Sequence, residues 1–149
     1  MNTKQLDPST ETINERVAKI DEAIQELKEI NLASREEFFA DKTLQYAALY
    51  ALIMGIEAIC DIGNHLLSYY FGRGVKTYKD IITSLAEVEV IPQEFAKKTE
   101  KMPDFRNLAI HVYLKIDENE IYKYIPLAIE QFAEYARHFL KFIEINNQK

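Results

Sequence analysis

Cysteine is nearly absent from this chain: Cys60 is the only one in 149 residues. A lone thiol excludes an internal disulfide and fits a reducing compartment, so a cytoplasmic location is expected. Cys60 stands in an apolar run, which points to an inert, buried thiol. Glycine and proline are scarce, four of each, and that favours helices. No segment alternates with strand period, and there is no internal repeat or low-complexity tract. A Gly-rich phosphate loop, Cys/His zinc spacing and a G-x-S-x-G elbow are all missing, so a nucleotide-hydrolysing or zinc enzyme has no support and no cofactor is expected. The N-terminus, M-N-T-K-Q-L-D-P-S-T, is too polar for a signal peptide. The apolar run from Leu44 to Ile62 is interrupted by Gln45, Glu57 and Asp61, and so reads as a core helix with no membrane partner. Positive charge is also short. A net charge of −6 argues against a general nucleic-acid binder, yet leaves room for an enzyme with a local basic patch. Lys97, Lys98 and Lys101 would make such a patch or simply a solvated face.

What is present is helical periodicity over a single domain, residues 1–149, with 1–11 expected to be loose. Thr12 and Glu15 read as a capping box ahead of a seam of Ile13, Val17, Ile20, Ile24 and Leu27, giving a helix to about residue 32. Ser34 and Glu37 make a second box. There or at Asp41 the longest helix begins, apolar on nearly all sides, and runs to about Tyr70 until Gly72-Arg73-Gly74 breaks it. Thr77 and Asp80 start a short helix carrying Tyr78, Ile81, Ile82 and Leu85, and Pro92 starts another through Lys101. Asp117 caps the last helix, whose inward residues are Ile121, Tyr124, Ile125, Ala128, Phe132 and Phe139. The expected fold is all-α, an up-and-down bundle of four long helices with short ones inserted between the second and third.

Between these lies Met102 to Tyr113, M-P-D-F-R-N-L-A-I-H-V-Y. Pro103 suits the first turn of a helix, and Phe105, Leu108, Ala109, Val112 and Ile116 make one apolar stripe. Against it stand a permanent cation, an amide, a titratable base and a phenol: Arg106, Asn107, His111 and Tyr113. On the helical wheel Arg106 and His111 are roughly 140° apart, with Ile110 and Leu114 between them on the face opposite the core. An apolar pair flanked by Arg and His suggests a buried contact. A second copy of the helix in a two-fold homodimer is the simplest, and brings Arg and His from two chains to one cleft.

Glu57, Asp61 and His65, spaced four apart, share one stripe of the central helix. They would serve as metal ligands only with partner Glu-x-x-His pairs, which are missing, so no metal is expected. Otherwise Glu57 or Asp61 supports Arg106 or orients His111, or the stripe faces water, the simpler reading for His65. His138 reads as a surface residue, and Tyr69, Tyr70 and Tyr78 as packing or interface residues.

The spacing Arg106-x4-His111-x-Tyr113 resembles the HepT-like branch of the HEPN domains. The resemblance extends to G-I-E-A-I-C-D-I-G-N-H at the end of the long helix, to T-Y-K-D-I-I-T-S-L, and to V-I-P-Q-E-F-A ahead of the motif. It implies a HEPN-like fold and a metal-independent endoribonuclease, the toxin of a pair whose antitoxin is a minimal nucleotidyltransferase. It also implies catalytic roles for Arg106 and His111, substrate positioning by Asn107, and attachment of AMP to Tyr113 by the partner. The alternative is a non-catalytic helical module that binds a nucleotide or partner protein with the same Arg and His.

Overall fold

A computed structural model describes residues 8–110 and 117–147, with side chains for all of these except 107–110. The described residues are all-α: α1 (Pro8–Ile30), α2 (Arg35–Ala40), α3 (Lys42–Phe71), α4 (Tyr78–Glu87), α5 (Gln93–Thr99), α6 (Met102–Ile110) and α7 (Glu118–Asn147). Helix α1 packs along both α3 and α7, and α3 packs on α7. Two hydrogen bonds give the directions. Ser9 at the start of α1 pairs with His65 Nε2 near the end of α3, at 2.7 Å. Thr10 pairs with Asn147, the last residue of α7, at 3.3 Å. Helix α1 therefore runs antiparallel to both α3 and α7, which run parallel to each other. The segment holding α4, α5 and α6 carries the chain back between them.

The apolar seams fall where the periodicity puts them. Ile13, Val17, Ile20, Ile24 and Leu27 are all buried, as are Ile121, Ile125, Ala128, Phe132 and Phe139 of α7. Helix α3 alone among the described residues is long and apolar enough to cross a membrane, yet 61% of its most apolar window is buried inside the bundle. Cys60 is buried there too. Burial, reinforced by the charges of Glu57 and Asp61, pushes its thiol up to about 12, so it stays protonated and unreactive at neutral pH.

Three helix starts match their caps, and at one of them the Thr77 hydroxyl accepts from the Asp80 N–H to begin α4. Ser34 and Glu37 close a full capping box on α2, and the Asp41 carboxylate accepts from the N–H groups of Thr43 and Leu44 to begin α3. The first helix differs from expectation. It starts at Pro8, so residues 8–11 are helical rather than loose. Thr12 is inside it and donates its hydroxyl back to the Pro8 carbonyl instead of capping. Pro8 fits the first helical position, and the buried Ser9 and Thr10 gain partners on α3 and α7 that no local pattern announces. That helix also stops at Ile30, and α5 stops at Thr99, two residues short of Lys101.

Candidate functional site

Helix α6 starts at Met102, with Pro103 in its first turn. Met102 is buried, and Phe105 lies stacked on Tyr124 of α7, ring centroids 5.0 Å apart and 11° from parallel. Burial holds the Tyr124 phenol well above its ordinary pKa, and its hydroxyl has no hydrogen-bond partner among the described residues. The stack fixes the rotation of α6 at Phe105, and that rotation aims Arg106 at α3 and α4. Of the apolar stripe, Leu108 and Ala109 lie on the helix without described side chains. Val112 and Ile116 are outside the described residues, as are His111, Tyr113 and Leu114.

Three helices converge on Arg106. Its Nε donates to Glu57 Oε1 of α3 in a half-buried ion pair. Its guanidinium lies over the Tyr78 ring of α4, 4.7 Å from the centroid. The Tyr78 hydroxyl donates to the other oxygen of the same carboxylate, Glu57 Oε2, at 3.2 Å. Glu57 thus uses both oxygens, one to each of its neighbours, and the planar guanidinium is held at its edge and on its face. Burial and the Glu57 charge raise the Tyr78 pKa, which keeps the phenol a donor. Close approach of α4 to α3 makes this possible. A Cβ on Gly63 would stand 2.6 Å from Ile81 Cγ2, so only glycine lets α4 settle at this height.

Arg106 also borders an open cleft of about 640 Å³, together with Lys76, Thr77, Tyr78, Lys79, Pro103 and Asp104. Lys97, Lys98 and Lys101 are exposed but do not line it. The lysines that do, and Tyr78, were not legible as site residues. Tyr78 reads as packing, and nothing local ties it to an arginine in a different helix.

The rest of the α3 stripe divides. The Asp61 carboxyl is raised by burial, partly offset by Arg16, with Arg106 the weakest influence on it. Arg16 donates to the Asp61 backbone carbonyl at 3.2 Å. His65 does not simply face water: it is half-buried, bonded to Ser9 and stacked on Tyr69. Glu57 and His65 are thus engaged with different helices, and among the described residues no three His, Cys, Asp or Glu gather as a metal set. His138 is likewise not a plain surface residue. Phe95 of α5 packs on its ring, and Glu134 lies 3.2 Å from Nε2. Helix α5 covers that side of α7, which its sequence alone cannot reveal.

Comparisons with known proteins place the chain in a family and a fold. The family model described as Ribonuclease HepT-like matches residues 20–139. The chain is 24% identical over 131 residues to the tRNA nuclease HepT of Aphanizomenon flos-aquae, covering 88% of this chain and 89% of that protein. It is 25% identical over 120 residues to the mRNA nuclease HepT of Shewanella oneidensis, covering 80% and 90%. In fold it is similar to the tri-AMPylated Shewanella oneidensis HEPN toxin solved in complex with MNT antitoxin, with a TM-score of 0.79, 24% identity, and coverage of 87% of this chain and 96% of that one. With the family model spanning the bundle from within α1 to late in α7, this chain belongs to the ribonuclease HepT-like family.

Proposed function

We propose that this protein is the endoribonuclease toxin of a toxin–antitoxin pair, cleaving RNA without a metal at a cleft shared by two copies of the motif helix. The observation that carries it is Arg106, fixed by Glu57 and Tyr78 beside an open cleft, five residues ahead of His111 on the motif. Cleavage requires the RNA 2′-oxygen to attack the adjacent phosphorus while the bond to the 5′-oxygen breaks. The 2′-hydroxyl proton passes to a base, and an acid returns a proton to the leaving 5′-oxygen. His111 titrates near neutrality when unperturbed and serves either role, and in a dimer two copies divide them. Arg106 stabilises the charge that builds on the phosphorane oxygens, and Asn107 positions the backbone. The products are a 2′,3′-cyclic phosphate and a 5′-hydroxyl.

A homodimer is supported from α3 as well as from Ile110 and Leu114. Tyr46 and Tyr50 are 65% and 70% exposed and share one stripe of α3 with Glu57. A second chain on that stripe covers both rings and meets the Arg106 ion pair. The reading is tested by incubating pure protein with RNA in EDTA and mapping the cut ends. Ile110→Asp should give monomers in light scattering and abolish cleavage; a wild-type monomer at micromolar concentration overturns the shared cleft.

The antitoxin of this reading is a minimal nucleotidyltransferase that attaches AMP to Tyr113. Support comes from the Shewanella oneidensis relative, which is tri-AMPylated and in complex with MNT antitoxin. On the wheel Tyr113 shares a flank with Arg106, about 20° away and two turns along. An adenylyl phosphate there presents Arg106 with a competing anion. Incubation with such a nucleotidyltransferase, ATP and Mg²⁺ should add mass in AMP steps at Tyr113 and stop cleavage. Neutralisation that survives Tyr113→Phe would instead assign control to tight complex formation.

A further inference from the structure

We propose that the cleft bordered by Lys76, Tyr78, Lys79 and Arg106 holds the RNA phosphodiester next to the scissile one, an inference that rests on Arg106 gripping the scissile phosphate. The chain carries a net charge of −6, yet this cleft has three cations to a single carboxylate, Asp104. The Arg106 charge is largely matched by Glu57. Lys76 and Lys79 differ: both are exposed, and neither takes part in any ion pair among the described residues. Two unmatched cations beside a matched one leave the cleft positive on a chain that is acidic overall.

The polymer supplies the rest. RNA carries a negative charge at every nucleotide, so a strand that presents one phosphate to Arg106 must place another within one nucleotide of it. The cleft that Arg106 itself borders is where such a phosphate meets positive charge. The border also continues away from Arg106. Lys76 also lines a second cleft of about 420 Å³ with Arg73, Gly74, Val75, Asp80 and Ser84, and there Arg73 is already paired with Glu87 at 2.7 Å. Lys76 therefore stands at the junction of two openings, suited to a chain that passes through rather than to a small ligand. Continuity with Arg106 favours a single RNA strand over an acidic protein face. Lys76 and Lys79 are positioning residues; they do not touch the reacting atoms.

The test separates binding from cleavage. A fluorescein-labelled 2′-O-methyl oligoribonucleotide cannot be cut, because its 2′-oxygens carry no proton to lose. Its affinity is measured by anisotropy across a salt series for wild-type protein, Lys76→Ala/Lys79→Ala and Lys76→Arg/Lys79→Arg. Each phosphate neutralised on a single strand contributes about 0.7 to the slope of log affinity against log salt, so the alanine pair, which gives up one neighbouring phosphate, should lose about 0.7 and the arginine pair should keep it. In cleavage of unprotected RNA the alanine pair should raise KM about tenfold with kcat unchanged, as loss of uniform binding does. A dinucleoside monophosphate, which has no neighbouring phosphate, should be cut equally well by both. A slope unchanged in the alanine pair, or wild-type protein that does not bind the strand, overturns the proposal. Loss of nucleotidyltransferase capture with an unchanged slope assigns the cleft to the protein partner and overturns it too. Wild-type protein that shows the slope difference but cuts no RNA retains the cleft and removes only the ribonuclease reading.

Discussion

Arg106→Ala should lower RNA cleavage at least ~10²-fold, and His111→Ala should do the same, the scale of losing a charge-stabilising or acid–base group. The two losses have different origins. Arg106 acts on charge that appears only as the phosphorane forms, so its removal should fall on kcat at saturating RNA. His111 moves protons, so its removal should also flatten the pH–rate profile near neutrality. Glu57 gives the contrast. It holds Arg106 in place and does not face the phosphate itself, so Glu57→Ala leaves the cation present but free to wander. A loss smaller than that of Arg106→Ala is expected, and Glu57→Gln, which keeps an amide oxygen for Tyr78 or Arg106, should recover part of it. Circular dichroism should remain helical in all four variants, because neither Glu57 nor Arg106 is among the buried core residues. Full activity in Arg106→Ala or His111→Ala would remove the mechanism as written.

The largest effect on stability should come from the contact between α3 and α7 at Phe132. Its ring is fully buried and lies directly against Gly55. Phe132→Ala should cost about 3–5 kcal/mol, the range for emptying a buried aromatic site, and lower Tm by roughly 10 °C for a chain of this size. Gly55→Ala errs in the other direction. A Cβ there would overlap the Phe132 ring, so the helices must part or the ring must turn, at a cost of about 1–3 kcal/mol. Combining Gly55→Ala with Phe132→Ala tests whether they share one space. The added methyl then enters the cavity the ring has left, so the pair should cost less than the sum by more than ~0.5 kcal/mol. Strict additivity, or a loss under about 1 kcal/mol for Phe132→Ala alone, would show that the two helices do not depend on this fit.

The sequence by itself determined the class of fold and the seams of its long helices. Helical period is a local property, so Ile13 to Leu27 and Ile121 to Phe139 could be read as buried faces before any partner was known, and all of those named as the two seams are buried apart from Tyr124, which is packed but not fully enclosed. Caps are equally local, and Ser34, Asp41 and Thr77 each accept the backbone hydrogen bonds expected of them. The motif spacing around Arg106 was legible for the same reason, as was its family. Glu57 and Asp61 were both legible as candidate partners of Arg106, and tertiary structure decided between them and added Tyr78. The choice of Glu57 as its partner depends on the rotation of α6 set by Phe105 on Tyr124, and the part played by Tyr78 depends on how near α4 approaches α3 over Gly63. The early start of α1 was decided at the far end of α3 and the end of α7, where His65 and Asn147 meet Ser9 and Thr10. Such contacts join residues tens of positions apart, and a side chain's neighbours across a bundle follow from helix rotation and approach, which local periodicity does not contain.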